Sequence, residues 1–353
     1  MSQRLTSPAR TNPLFSARNR AIDLVRQVCS IAGDRSFVED ARAEFATNGV
    51  ASAVQHHDDG PIFNWLVEAF NLQGISDRAA RAYWIRGGGV TRGQVSLGLA
   101  RGRCPKLGSF GSFNRCRYRK EARSCAEPDY LTDCPLPRHD LRNGRLNQMA
   151  YSLRLFLRDV CGDDFVGWTD QQLSDADQLP PEDRVNRLGR AVIDPMKGVF
   201  GVSDKVLSMA LSELLIGADA NRRRWVAAGA GMIAIDTLVH NWLHRTGLLA
   251  ALGGQHSYGT GCYGPHGCAT LLREISAQID ARQFNPDSPP DFPRFVQFAI
   301  WRFCALDHDG RCNGVRIDDR KGCEDADCPL GPSCARTPLG VNRNRPRTFA
   351  GNP

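Results

Sequence analysis

The sequence has no apolar run long enough to cross a bilayer, and no alternating series of apolar and polar residues that would predict strands. Its N-terminal residues also lack a secretory signal, because Arg4, Arg10, Arg18 and Arg20 interrupt the stretch where an apolar core would stand. These absences argue against a membrane protein and against a β fold. We therefore expect a mainly α protein in the cytoplasm.

The chain does contain apolar residues at helical spacing. With 353 residues, 42% of them hydrophobic, it can bury a sizeable core, and we expect two lobes and an insertion. Apolar positions three and four residues apart predict helices near residues 20–31, 38–46, 61–71, 146–160 and 271–280.

Positive charge is concentrated in one block of the sequence. Residues 86–145 contain 13 Lys and Arg residues against 5 Asp and Glu residues, a local charge of +8 in a chain whose formal net charge is +7. Such a block suits a phosphate backbone and predicts salt-dependent binding. A solvated insertion that binds no nucleic acid explains the block equally well.

A helix, a tight hairpin and a second helix are predicted around Gly201, because apolar residues at helical spacing precede Gly201 and follow Asp204. The first amides of the second helix have no acceptor within that helix, so they favour a phosphate group. Lys205 stands in this first turn, where a cation opposes the helix macrodipole. This position points to a chemical role for Lys205, although a solvated surface lysine is the simpler interpretation.

A carboxylate opens the next apolar helix. Asp236 directly follows the apolar run from Met232 to Ile235, and Val239 and Trp242 continue the apolar pattern after it. We expect Asp236 to be the N-cap of this helix, beside buried surface.

Together the two segments resemble the helix-hairpin-helix DNA glycosylase superfamily, the endonuclease III-like base-excision enzymes. Residues 200–206 (Phe-Gly-Val-Ser-Asp-Lys-Val) stand where that family has Pro-Gly-Val-Gly-x-Lys-Thr. Residues 233–239 (Ile-Ala-Ile-Asp-Thr-Leu-Val) stand where it has Ala-Val-Asp-Thr-His, and residues 72–77 are similar to its Ser-x-Gln-x-Thr-Asp segment. The resemblance covers most of residues 56–335.

Three positions depart from the family pattern. Phe200 and Ser203 replace the Pro and the second Gly of the hairpin, and Leu238 replaces the His after Asp-Thr. Because Ser avoids the positive φ that Gly accepts, we expect a tighter or differently hydrogen-bonded turn.

The resemblance implies a two-lobed, mainly α fold with a Cys-rich basic insertion. It assigns residues 56–86 and 143–235 to a six-helix barrel-like lobe with the hairpin, 18–55 and 236–335 to a terminal-segment lobe with a metal loop, 87–142 to the insertion, and 1–17 and 336–353 to flexible tails.

The resemblance also implies a base-excision DNA glycosylase with abasic-site lyase activity. Such an enzyme flips a damaged or modified base out of double-stranded DNA and cleaves its N-glycosidic bond. Asp236 would stabilise positive charge on the sugar, and Lys205 would attack the sugar to form a Schiff base. We expect a monomer that acts on the nucleoid. The DNA-binding residues that the resemblance implies are Gln73, Gly201, Val202 and Ser203.

Thirteen cysteines in a cytoplasmic chain indicate metal binding rather than disulfides. A C-terminal set lies in a Gly-rich stretch and comprises Cys312, Cys323, Cys328 and Cys334. Its last two spacings resemble the iron-sulfur loop of many of these glycosylases, which implies a four-iron four-sulfur cluster. Cys304 competes with Cys312 for the first ligand position, and zinc would also be satisfied by four thiolates.

Two further sets carry weaker signals. The insertion contains Cys104, Cys116, Cys125 and Cys134. A second structural zinc there would supply folding energy that the insertion lacks, but these cysteines have no Cys-x-x-Cys pair. A Gly-rich loop contains His256, Cys262, His266 and Cys268, and we expect an ordinary loop there.

Two other functions remain open. A non-catalytic DNA-binding protein would keep the hairpin without the reaction. A metal-dependent nuclease would need a cluster of carboxylates, and the sequence shows none that can be placed.

Overall fold

The computed structural model describes residues 13–32, 37–73, 75, 77–87, 89–139, 141, 142, 144, 146–178, 180 and 183–340. The chain is 60% helix with no strand in these ranges, which confirms the mainly α expectation. An isolated bridge pairs Arg119 with Ser124. None of the described helices is both long enough and apolar enough to cross a membrane.

The chain divides into two compact units. The central unit is Ser36–Ala234, and the terminal unit is Met1–Arg35 with Ile235–Pro353. The helices of the central unit are α2 (Phe37–Asn48), α3 (Val50–His56), α4 (Asp59–Phe70), α5 (Asp77–Gly87), α6 (Arg92–Arg101), α7 (Phe110–Phe113), α8 (Asn147–Asp159), α9 (Phe165–Asp177), α10 (Arg184–Met196), α11 (Asp204–Gly217) and α12 (Arg223–Gly231). Those of the terminal unit are α1 (Pro13–Ala32), α13 (Thr237–Arg245), α14 (Leu248–Ala251), α15 (Cys268–Ser276) and α16 (Pro293–Cys304).

The core of the central unit surrounds α11, which packs against α2, α4, α10 and α12. Apolar residues recur on α11 at a spacing that buries almost all of them, including Leu207, Leu211 and Leu214. The close approach of α12 to α11 depends on Gly229. A Cβ atom at this position would lie 2.7 Å from Cγ1 of Ile216 and 2.9 Å from the carbonyl oxygen of Ser212.

Gly229→Ala should destabilise the protein. Relief of glycine's backbone entropy stabilises a helix by up to about 1 kcal/mol, but overpacking against backbone costs about 1–3 kcal/mol. We expect a net loss of about 1–2 kcal/mol in the free energy of unfolding, measured by denaturant titration. Gly111→Ala is the matched control, because nothing lies within 4 Å of the added Cβ and its φ is not positive. Equal stability of the two variants would contradict this packing.

The insertion belongs to the central core and does not fold as a body of its own. Val95, Leu107, Phe113 and Leu136 of the insertion lie in the same buried cluster as the apolar residues of α8. Helices α6 and α7 also pack on α8. The insertion therefore buries its few apolar residues against α8 and does not need a core of its own.

The boundary of the terminal unit differs from the predicted one. The prediction placed residues 18–55 in the terminal-segment lobe, but the contacts divide the chain at Ser36. Helix α2 packs on α11, where a Cβ atom on Gly217 would meet Ala41 and Phe45 at 2.9 Å. The apolar face of α2 is therefore buried in the central unit, because a glycine on α11 leaves room for it.

The terminal unit is built on α16, which packs against α1, α13 and α15. Leu24, Val25 and Val28 form the buried face of α1, and Trp242 and Leu243 form that of α13.

The predicted flexible tails overlap structured residues at both ends. Residues 13–17 belong to α1, and the amides of Ala335 and Thr337 donate to the carbonyl groups of Thr246 and Arg245 at the end of α13. The rest of both predicted tails, residues 1–12 and 341–353, lies outside the described residues.

Candidate active and metal-binding sites

The predicted hairpin is residues 197–203, between the end of α10 at Met196 and the start of α11 at Asp204. Gly201 has a φ of 73°, which favours glycine, whereas Ser203 has a φ of −84°, which any residue accepts. Serine therefore fits this position without strain. The amide of Phe200 donates to Oγ of Ser152 at 2.9 Å, a bond that a proline in its place could not make.

The basic insertion packs against this hairpin within the central unit. The ring of Phe113 contacts that of Phe200 edge-on, with centroids 6.4 Å apart. A Cβ atom on Gly198 would lie 3.0 Å from the ring of Phe110. Where the family has a rigid proline, Phe200 instead makes an aromatic contact with the insertion.

Lys205 is the second residue of α11 and is half-buried. The side chain of Ser203, the N-cap, accepts no hydrogen bond from this first turn. The carboxylate of Asp204 instead pairs with Nζ of Lys197 at 3.1 Å. The amides that begin α11 are therefore free of a side-chain cap from Ser203, as a phosphate-binding hairpin requires.

Asp236 is the N-cap of α13, where its side chain accepts the amide of Val239 at 2.9 Å. It is half-buried, with Ile235 and Val239 fully buried on either side. The amide of Ile235 donates to Oη of Tyr263 at 2.9 Å. Burial raises the pKa of Tyr258 to about 12, and the negative charge of Asp236 adds to this rise. Tyr263 therefore contacts the backbone just before the carboxylate, and Tyr258 lies near enough to be affected by its charge.

The two predicted catalytic residues belong to different units. Lys205 lies in the central unit and Asp236 in the terminal unit. Each stands at the N-terminus of its helix, where the sequence placed it. Their catalytic roles stay predictions.

Gln73 lies beside a basic cavity in the central unit. The Arg142 guanidinium donates to the carbonyl oxygen of Gln73, and the side-chain amide of Gln73 donates to the carbonyl oxygen of Phe70 at 3.0 Å. The cavity has a volume of about 600 Å³. Its lining is Tyr118, Arg119, Lys120, Glu121, Arg142, Gly144 and Gln148.

Four side chains of the terminal unit form a group that could hold a metal ion: His240, His256, Cys262 and Cys268. Their ligand atoms all lie within 4.8 Å of one another. Nδ1 of His240 is 3.3 Å from Sγ of Cys268 and 3.6 Å from Sγ of Cys262, and Nε2 of His256 is 3.4 Å from Sγ of Cys268. The sequence predicted an ordinary loop here and did not indicate this group.

The sequence prediction also named the wrong fourth residue of this group. His266 is exposed, and His240 from α13 takes its place. The missed signal is that His240 follows Asp236 by one helical turn, on the buried side of α13. A search within the Gly-rich loop alone cannot find a ligand that a neighbouring helix supplies.

The two cysteines of this group shift each other's pKa in opposite directions. A hydrogen bond from Cys268 holds the pKa of the Cys262 thiol well below its ordinary value, and the same bond raises the pKa of Cys268. A lowered pKa favours the thiolate, which is the form in which a cysteine binds a metal ion.

The C-terminal cysteines lie close enough to influence one another. The charges of Cys312, Cys328 and Cys323 all add to the rise that burial causes in the pKa of Cys334. Hydrogen bonding with Cys304 lowers the pKa of Cys312 to about 7, and Arg245 adds to this effect. Cys312 thus neighbours the other three sulfurs, while Cys304 lies behind it and is fully buried.

The insertion cysteines are also neighbours, because the charges of Cys116, Cys125 and Cys104 add to the rise that burial causes in the pKa of Cys134. In both four-cysteine sets, sulfur atoms accept backbone amides two residues further along the chain. Glu127 donates to Cys125 at 3.4 Å, and Arg336 donates to Cys334 at 3.4 Å. Such bonds stabilise a thiolate, the form that binds metal.

Neither four-cysteine set is as tight as the His and Cys group, although all eight cysteines lie in described parts of the chain. Four ligands on one ion must nearly touch, whereas ligands of a multi-iron cluster stand further apart because each binds a different iron. No protein-family model, curated protein or solved structure matches this chain.

Proposed function

We propose that this chain is a base-excision DNA glycosylase with abasic-site lyase activity. The observation that carries the proposal is the hairpin between α10 and α11, with Gly201 in a left-handed turn and Lys205 half-buried in the first turn of α11. A hairpin of this kind binds a phosphate through backbone amides without reading a base. It also sets an amine beside the DNA backbone.

DNA binding is supported by where the positive charge lies. The insertion packs on the hairpin through Phe110 and Phe113. Arg115 and Arg117 follow directly in the chain and are exposed to solvent. A duplex held at the hairpin would meet this charge, which neutralises phosphates and makes binding salt-dependent. The basic cavity beside Gln73 would add a second contact with the backbone or with the gap in the base stack.

Asp236 would act on the sugar after the base has been flipped out. Cleavage of the N-glycosidic bond leaves positive charge on the sugar, and a carboxylate stabilises that charge if it is fixed where the charge develops. The capping bond to the amide of Val239 holds one oxygen of Asp236. Burial of Ile235 and Val239 on either side lowers the local dielectric, which strengthens the interaction.

Lys205 would then complete the reaction. Its neutral amine attacks the anomeric carbon as the base departs with the electron pair of the glycosidic bond. The amine then gives a proton to the ring oxygen as the bond between that oxygen and the anomeric carbon breaks, and the opened sugar is left as a protonated Schiff base. Loss of a proton from the adjacent sugar carbon expels the 3′ phosphate, and the strand is nicked. This step needs Lys205 as the free amine, a form that neighbouring cations or partial desolvation favour in an active site.

For the C-terminal set we propose a four-iron four-sulfur cluster bound by Cys312, Cys323, Cys328 and Cys334. The spread of these sulfurs favours a cluster over a single zinc ion, since each ligand of a cluster binds a different iron. The insertion set, Cys104, Cys116, Cys125 and Cys134, is no tighter, and a structural zinc there stays a prediction from the sequence that would require these side chains to move closer together.

Borohydride trapping on abasic DNA tests this proposal without knowledge of the damaged base. The probe is a labelled duplex with one abasic site, and we expect a covalent protein–DNA adduct together with nicking that persists in a metal chelator. A DNA-binding protein without catalysis would give retention of the duplex but no adduct. Nicking abolished by the chelator, with no adduct, would identify a metal-dependent nuclease instead.

A further inference from the structure

The loop from Gly254 to Gly267 has little in its own sequence to hold it in place. Its regular structure is one short 3-10 turn, Thr260–Tyr263, and Tyr258 at its tip is exposed. Loops of this length in a compact domain need another source of order. Two of its residues, His256 and Cys262, nevertheless point at His240 of α13 and at Cys268, the first residue of α15.

We propose that His240, His256, Cys262 and Cys268 bind one structural Zn²⁺ ion, which fastens this loop to α13. Zinc bonds of about 2.3 Å to sulfur and about 2.0 Å to nitrogen, in a tetrahedron, place nitrogen and sulfur about 3.5 Å apart. Three of the four nitrogen–sulfur distances here are 3.3, 3.6 and 3.4 Å. The side chains thus have the spacing of the complex before any ion enters.

The imidazole of His256 is oriented as a metal ligand should be. Its Nδ1 lies 2.5 Å from the carbonyl oxygen of Gly254, so Nδ1 carries the proton and Nε2 presents its lone pair to the group. A carbonyl that accepts from the ring nitrogen not facing the metal fixes both the tautomer and the ring orientation.

Glycines let the loop backbone close around the ligands. A Cβ atom on Gly267 would collide with the carbonyl oxygen of Gly261 and the backbone of Cys262, and one on Gly261 would lie 3.2 Å from the ring of His256. These two segments therefore pack backbone to backbone, which brings Cys262 and Cys268 together.

Four protein ligands fill the tetrahedron and leave no open position for a substrate, so the ion is structural. Its effect reaches Asp236 through the loop. Tyr263, the residue after Cys262, accepts the amide of Ile235, the residue before Asp236, and the ring of Tyr258 packs on His240 with centroids 5.8 Å apart. The metal therefore positions the backbone on which the carboxylate stands. The site itself does not depend on the proposed glycosylase reaction.

Metal analysis of the full-length protein tests the site. Cys268→Ser should contain one equivalent of zinc less than the wild type, whereas His266→Ala, an exposed histidine of the same loop, should keep the full content. His256→Asn is a second variant with the same expected loss, should Cys268→Ser fail to fold. Unchanged zinc content in a folded variant, or a mass showing a disulfide between Cys262 and Cys268, would overturn the proposal.

Two readouts besides metal content separate the site from the other cysteines. Cobalt substitution of the wild type should give the visible bands of a tetrahedral ion with two sulfur ligands, and these bands should be lost in Cys268→Ser but not in His266→Ala. Hydrogen exchange at the amide of Ile235 should become at least about 10-fold faster in Cys268→Ser, because loss of the clamp frees Tyr263. Exchange at wild-type rates would contradict the positioning effect.

Discussion

Lys205→Gln should abolish the covalent adduct and lower nicking of abasic DNA by about 10³-fold or more, because no amine remains to form the Schiff base. Asp236→Asn should lower base release by about 10²–10³-fold, the usual effect of removing a charge aimed at a transition state. Asparagine caps helices as well as aspartate does, so this change removes the charge and keeps the cap of α13. Single-turnover kinetics measure base release and strand nicking separately.

Lys197→Gln is the matched control for the first variant. Lys197 is the other lysine of the hairpin and pairs with Asp204, so its loss removes the same charge a few residues away. We expect weaker binding but an intact adduct. If duplex affinity fell equally in Lys205→Gln and Lys197→Gln while nicking persisted in both, Lys205 would be a phosphate contact and not the nucleophile.

The largest spectroscopic effect is expected at the C-terminal cysteines. The purified protein should be brown, with broad sulfur-to-iron absorption and about four iron atoms per chain, and Cys328→Ser should lose both. We expect Cys304→Ser to retain them, because the Cys304 sulfur hydrogen-bonds Cys312 from behind and is fully buried. Absorbance between 300 and 700 nm, roughly the range of such bands, and iron analysis measure the result.

Each of the other outcomes for these cysteines has a distinct meaning. If the protein were colourless and contained zinc, and if Cys328→Ser lost that zinc, the site would hold a single zinc ion and not a cluster. If Cys304→Ser lost its iron while Cys312→Ser kept it, the first ligand of the cluster would be Cys304 and not Cys312.

The helices could be predicted from the sequence because their cause is local. Apolar residues three and four positions apart marked α1, α2, α4 and α8, and an aspartate after an apolar run marked the N-cap of α13. The unit to which α2 belongs could not be predicted in this way. It is decided by the room that Gly217 leaves on α11, and Gly217 is far away in sequence.

The members of the candidate metal-binding group could not all be predicted from the sequence either. Loop residues close together in sequence suggested His266, but the fourth ligand atom comes from His240 on a helix. Cysteine spacing in the sequence favoured the C-terminal set as a metal site, because it resembles the family pattern. The distances between ligand atoms instead favour the His and Cys group as the site for a single ion. Only the fold supplies that distance.

Helix α13 carries more than the candidate carboxylate. Asp236 begins it, His240 lies on its middle turn, and Arg245 ends it, donating to the sulfur of Cys312 and pairing with Asp319. Nine helical residues span about 13 Å and do not bend appreciably over that length. With the proposed zinc ion bound to His240, this short straight helix would be held at its middle as well as at its far end, and loss of either contact would move Asp236 at its start.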